Sequence, residues 1–224
     1  MIDLTKSYDF FQPESVNERI HIVGCGSVGA TLAENLVRLG LTKITLYDFD
    51  RVSPHNLANQ IFRQKDIGVA KVDALKDILM EINPDVERDL KLKPKGWQGE
   101  KMSGFIFLAV DDIDLRRKIV QQHENSVFVR AIFDWRTLLT GAQHYAADWS
   151  KQLDKKALLN SMDFSHEEAA AETPVSACGV TLGVAPTVRV ICALGVSNFL
   201  NFVKGGELKK LILLDAFDFS LEAY

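Results

Sequence analysis

The first regular pattern along the chain is Ile20-His21-Ile22-Val23, a short β-rich run that stops on Gly24. Residues 27–39 then carry apolar side chains at helical spacing up to Gly40, so a strand, a glycine turn and a helix are expected in succession. A second strand is expected over 43–47, ending at Asp48, and a second helix over 70–82, stopped by Asn83 and Pro84. Residues 105–110 form an unbroken apolar run, as in a parallel strand covered on both faces. This alternation predicts an α/β fold: a Rossmann-like, doubly wound, mostly parallel sheet with helices on both faces.

The pattern changes from residue 127. Runs at 127–132 and 142–147 bracket Thr140-Gly141 and read as an antiparallel excursion. Residues 150–173 are polar, charged and alanine-rich, and are expected as a helix or mobile segment crossing over the site. A long apolar helix is expected over 184–202, ended near Gly205-Gly206, and segments 208–215 and 217–223 read as a closing antiparallel hairpin.

A length of 224 residues fits one domain over 1–224, with 150–180 as a crossover segment. At 47% hydrophobic and 25% charged residues the composition is that of a globular chain. A net charge of −4 gives no basic footprint for nucleic acid and no polybasic tract for a membrane surface. The N-terminal residues lack a signal-peptide pattern and no 18 apolar residues run unbroken, so the expected address is the cytoplasm. Cys25, Cys178 and Cys192 are too scattered for a disulfide framework, and without a Cys-x-x-Cys pair no structural metal is expected.

The chemistry starts at Gly24-Cys25-Gly26-Ser27-Val28-Gly29, which has G-x-G-x-x-G spacing between a strand and a helix. Glycine is needed there because the backbone must turn sharply and bring free amides and the positive helix end close to phosphate oxygens. Asp48, about 20 residues on, ends the next strand where a ribose hydroxyl would sit. NAD and ATP satisfy these features equally.

The segment from Asp48 to Lys71 separates them. Asp48, Asp50, Val52, Asn56, Leu57, Gln60, Asp66, Gly68 and Lys71 fall in the order Asp-x-Asp-x-Val, Asn-Leu-x-x-Gln, Asp-x-Gly-x-x-Lys. This closely resembles the ThiF/MoeB family, the ubiquitin-activating-enzyme-like adenylyltransferases. The likeness continues in the stretch from Phe107 to Arg116, in the stretch from Ser176 to Val203, and in Leu211-Ile212-Leu213-Leu214-Asp215-Ala216-Phe217, so that it covers roughly residues 18–220.

The resemblance implies an enzyme that binds ATP and Mg2+ and joins AMP to the C-terminal carboxylate of a ubiquitin-like or sulfur-carrier protein, with homodimers common. It implies that Gly24, Gly26, Ser27 and Gly29 face the phosphates and Asp48 the ribose, with Asp50 beside it. Asn56 and Lys71 would hold the triphosphate and Asp111 the Mg2+. Physical reasoning asks for the same kinds of group. Adenylation brings a carboxylate to a polyphosphate, and the departing pyrophosphate needs cations and oriented donors. Asp111 follows a buried strand, at the edge where such sheets bind ligands, and an oxygen ligand suits Mg2+.

The chain departs from that pattern in three places. Asn59 stands where the family has an arginine, leaving Arg63 or Lys65 as the nearest replacement cations, arriving from another direction. The family's zinc-binding cysteine pairs are absent. The only arginine ahead of the glycine strand is Arg19, too near it to reach a partner's site. Cys178, where the crossover stretch meets the apolar helix, is a candidate thioester or persulfide nucleophile, the alternative being a small half-buried residue. Three functions follow: an adenylyltransferase, a degenerate member that only binds such a protein or a partner subunit, and an NAD-dependent oxidoreductase.

Overall fold

A computed structural model describes residues 2–165, 167–168 and 183–224. Eight strands form one sheet: β1 Ile20–Val23, β2 Ile44–Tyr47, β3 Lys91–Lys93, β4 Gly104–Leu108, β5 Val129–Thr137, β6 Gly141–Asp148, β7 Leu211–Asp215 and β8 Ser220–Ala223. Their spatial order is β3-β2-β1-β4-β5-β6-β7-β8. The first five in that order are mutually parallel, and β5 through β8 are joined antiparallel. The expected doubly wound sheet with antiparallel strands at its C-terminal side is therefore the fold observed.

The apolar runs are buried because both sheet faces are covered. Every residue of β1, β2 and β4 is buried. Neighbouring side chains alternate between two cores: Phe105, Phe107, Phe133 and Trp135 pack with helices α1 Ser27–Arg38, α2 Lys71–Ile82 and the C-terminal helix α6 Ala185–Val203. Ile106, Leu108 and Ile132 pack on the other face with α4 Ile113–His123 and α5 Gln152–Asn160. Between these, α3 Val86–Asp89 is a single short turn. Among the described residues α6 alone is long and apolar enough to cross a bilayer, but half of it is buried against the sheet, as a core helix is.

Two elements fall outside the expectations. Lys91-Leu92-Lys93 is an edge strand whose lysines point to water, so its apolar content is a single residue. Helix α4 carries four charged residues in eleven and buries a narrow face; its start is set by Asp112, whose carboxylate accepts the amides of Asp114 and Leu115. The polar stretch after residue 150 begins as α5, packed on the sheet through Leu158 rather than loose.

Two buried histidines make this core acid-sensitive. His144 stacks against Phe133 and Trp135, and burial depresses its pKa to about 3 against the opposing charge of Asp134. His21 is pushed down to about 4 by burial and the nearby Arg19 cation. Both stay neutral in the folded chain, whereas the unfolded chain takes up protons near pH 6.5. Their contribution is complete above that pH and is lost progressively as pH falls towards 4 and then 3. Unfolding free energies from urea titrations between about pH 6.5 and 4 are expected to fall by up to about 1.4 kcal/mol per pH unit for each histidine. His144→Phe should remove about half of that slope. An unchanged slope would show that His144 titrates normally.

Candidate nucleotide-binding site

In the order β3-β2-β1-β4-β5 the chain winds outward in opposite directions from β1 and β4, so the switch point lies between these two strands. Ligands of open α/β sheets bind at the carboxyl ends of strands at such a point. The glycine loop emerges there from β1, and the chain leaving β4 runs beside it. Each glycine meets a different demand. Gly24 has φ +95°, and a Cβ on it would lie 2.7 Å from the Ala109 carbonyl oxygen. A Cβ on Gly29 would lie 1.8 Å from the Gly24 carbonyl oxygen, so α1 sits directly on the turn. A Cβ on Gly26 would meet nothing within 4 Å, which makes that side of the loop an open approach for a ligand. Gly26 also caps α1 without any side chain, leaving the helix's first amides to a ligand or water.

Asp48 ties this loop to β2. One carboxylate oxygen accepts the Cys25 amide at 2.6 Å and the other accepts the Asp50 amide at 2.8 Å. The Cys25 thiol is fully buried and pushed up by burial, so within the loop it is a packing group. Cys192 is likewise buried in the core and raised by burial.

Residues 50–71 close on themselves. The Val52 amide donates to Val69, Gly68 donates to Val52, and the Lys71 amide donates to Asp50. That ladder brings the Lys71 ammonium to the Asp50 carboxylate at 2.8 Å, with the lysine side chain 9% exposed and the aspartate 51% exposed. The sequence motif thus builds a nearly buried cation at the sheet edge, held by a carboxylate open to solvent.

Several motif residues prove to support the loop. Asn56 is buried and its Oδ1 accepts the Ser53 amide and hydroxyl, while its Nδ2 takes no part in that cap. Asp66 accepts the Arg63 amide at 2.7 Å and pairs with the Arg63 guanidinium at 3.0 Å. Arg63 also reaches Glu81 at 2.5 Å. With its guanidinium engaged by these two carboxylates, Arg63 is not placed at Asn59; Asn59 Nδ2 instead donates to the Gly183 carbonyl at 3.4 Å. Lys65 pairs with Glu81 as well, at 3.3 Å. Arg19 donates to the carbonyls of Ile44 and Asp89, at the start of β2 and hence the end of the sheet away from the glycine loop. His55 shares hydrogen bonds with the Ser53 hydroxyl, as local polar structure.

Asp111 is exposed, three residues beyond β4, and is spared the capping role that its neighbour Asp112 fills. No cluster of three metal-ligating side chains exists among the described residues. An exposed carboxylate at the carboxyl edge of the sheet nevertheless suits Mg2+, which takes one or two carboxylates and completes its shell from phosphates and water. Cys178 lies outside the described residues.

A buried charge network lies outside the expected site residues. Asp134, with no solvent exposure, lies between Arg116 and Arg136. Arg116 also donates to the carbonyls of Val110 and Trp135. Arg136 donates to the Ser161 carbonyl at 2.6 Å and its hydroxyl at 2.9 Å, with its guanidinium over the Tyr145 ring. The signal was there: Asp134-Trp135-Arg136 puts two charges directly after the apolar run Ala131-Ile132-Phe133, and buried charges must be paired. Trp135 itself is core, and Arg136 belongs to this network.

The chain is 37% identical over 75 residues to ubiquitin-like modifier-activating enzyme 5 of Caenorhabditis elegans, covering 33% of this chain and 18% of that protein. It is 45% identical over 67 residues to the protein of the same name from Arabidopsis thaliana, covering 30% and 16%. The chain thus spans less than a fifth of the length of these curated relatives. Among solved structures, E. coli MccB with ATP aligns at TM-score 0.72 and 17% identity, over 95% of this chain and 65% of that one. MccB with AMPCPP and MccA aligns at 0.73 and 17% identity over the same shares, and PaaA at 0.68 and 17% identity, again over 95% and 65%. These structural likenesses speak for the fold. The ThiF family model matches residues 9–222, from ahead of the glycine strand to the last strand of the sheet, and the chain belongs to the ThiF family.

Proposed function

We propose that this chain binds ATP at the glycine loop and transfers AMP to the C-terminal carboxylate of a ubiquitin-like or sulfur-carrier protein, releasing pyrophosphate. The observation that carries this reading is the Lys71 ammonium, almost buried at the carboxyl edge and held by the half-exposed Asp50. An incoming triphosphate is a stronger anion than Asp50 and can take over that lysine. Gly24, Gly26, Ser27 and Gly29 would present backbone and the end of α1 to the phosphates, Asp48 would face the ribose, and the free Asn56 amide would add a donor. Asp111 would hold Mg2+, which when bound offsets phosphate charge. The carrier's carboxylate attacks the α-phosphorus, the bond to the β-phosphate oxygen breaks, and the leaving pyrophosphate departs toward Lys71. The named relatives, ubiquitin-like modifier-activating enzymes, support this class of substrate. The reading extends to a cytoplasmic homodimer, for which α6 offers an exposed Val190.

ATP–pyrophosphate exchange with candidate carrier proteins is the test. Tight ATP binding without exchange for any carrier would leave only the second reading, a partner subunit that recognises a carrier without activating it. That reading draws on Asn59, whose amide rests on Gly183 while Arg63 is held by Asp66 and Glu81. Asn59→Arg separates the two. With the cation restored, exchange is expected to rise about tenfold, the value of one charge-assisted hydrogen bond of roughly 1.5 kcal/mol. A scaffold gains nothing.

A further inference from the structure

The Asp134 network reaches in two directions that the proposed chemistry does not use. Through Arg116 it grips the Val110 carbonyl, one residue before Asp111. Through Arg136 it grips Ser161, at the C-terminal end of α5. Arg117, next to Arg116 on α4, holds the Met162 and Phe164 carbonyls in parallel. The Arg136 guanidinium lies 4.4 Å from the centroid of the Tyr145 ring and 5.8 Å from that of Phe164. Asp134 is therefore the joint between the loop that carries Asp111 and the point where the chain leaves α5 towards the segment preceding α6.

We propose that Asp134 is a positioning residue: its two arginines make the seating of residues 161–164 and the setting of the Asp111 loop a single event. A buried carboxylate between two guanidiniums has few low-energy arrangements, because each arginine that lets go leaves an uncompensated charge in the core. Its two oxygens each take one arginine, so movement at Ser161 is passed through Arg136 and Asp134 to Arg116 and Val110. Among the described residues the exposed Asp111 has no hydrogen-bond partner to fix it, and it depends on the backbone behind it. The consequence for Mg2+ rests on the nucleotide-binding reading; the mechanical link does not.

Hydrogen–deuterium exchange on the full chain without ligand tests the link. Arg136→Gln cuts only the arm to Ser161, yet peptides covering 109–116 and 158–165 should both exchange about tenfold faster, with 20–38 unchanged. Asp134→Asn should loosen the same two regions. Loosening confined to 158–165 in Arg136→Gln would overturn the proposal, and this variant decides it even where Asp134→Asn fails to fold. A second arm titrates MgATP and metal-free ATP. In Arg136→Gln the factor by which Mg2+ tightens ATP binding should drop about tenfold while metal-free affinity holds; an unchanged factor with coupled exchange would refute the role in positioning Asp111. If the unaltered chain binds no ATP, the nucleotide reading fails and the exchange result still judges the link.

Discussion

Gly29→Ala is expected to destabilise the chain by about 1–3 kcal/mol, the usual range for forcing a methyl into filled space, and to abolish measurable ATP binding. The added Cβ would lie 1.8 Å from the Gly24 carbonyl oxygen and 3.2 Å from an Ile22 methyl. Neither neighbour can yield cheaply, since one is backbone and the other belongs to the core under β1. Relief requires α1 to move off the turn, and Gly24 cannot follow because it is pressed against Ala109 and Val110. Gly26→Ala is the matched control. Its φ of −76° lies outside the left-handed region and its Cβ position is empty, so thermal stability should stay within a few degrees, a shift worth under about 1 kcal/mol. ATP affinity should nonetheless fall at least tenfold, about 1.4 kcal/mol, because the methyl projects into the approach left for phosphate. Melting curves and an ATP titration on both variants check this. Full affinity in Gly26→Ala would place the ligand elsewhere and remove the basis of the proposed site.

The fold was legible where a single local signal decides the outcome. β1, β2 and β4 are short apolar runs bounded by glycine or aspartate, and both-face burial in a parallel sheet requires that pattern. The edge strand at Leu92 and the charged helix α4 were not visible, because each is held by neighbours and contributes only a thin apolar face of its own. Strand ends also shifted: β5 starts at Val129 rather than 127 and runs on to Thr137, since pairing with β6 continues through the charged Asp134 and Arg136. The site divides in the same way. Gly24, Gly26, Gly29 and Asp48 could be picked from spacing because each answers a geometric demand of the loop, whereas Lys71 stood out only through the family resemblance. Spacing alone could not show that Asn56 and Asp66 also cap their own turns, or that Arg63 is taken by Asp66 and Glu81. Those outcomes depend on which groups meet once the segment closes on itself.

Lys71→Met carries the largest expected effect on chemistry, a loss of about 10²–10³-fold in pyrophosphate exchange, the scale on which removal of one preorganised charge-stabilising donor is felt. Methionine keeps the buried stem and deletes only the ammonium, so the α1 and α2 packing around the site has no reason to change. The cost in stability is small for a separate reason. The partner left behind, Asp50, is half exposed and regains water, and an ion pair open to solvent on one side is worth at most about 1 kcal/mol. Fold and chemistry should therefore part company: a melting temperature within a few degrees of the unaltered chain, with exchange near background. Lys71→Arg should not restore the rate, because the planar guanidinium is bulkier than the ammonium it replaces in a nearly closed pocket and stays paired with Asp50. Asp50→Asn tests the other side of the same pair. With its carboxylate gone, Lys71 has no anion to leave, and ATP should bind more tightly. Exchange retained in Lys71→Met would mean that the departing pyrophosphate is met by some other cation, and Lys71 would then be a structural partner of Asp50 alone.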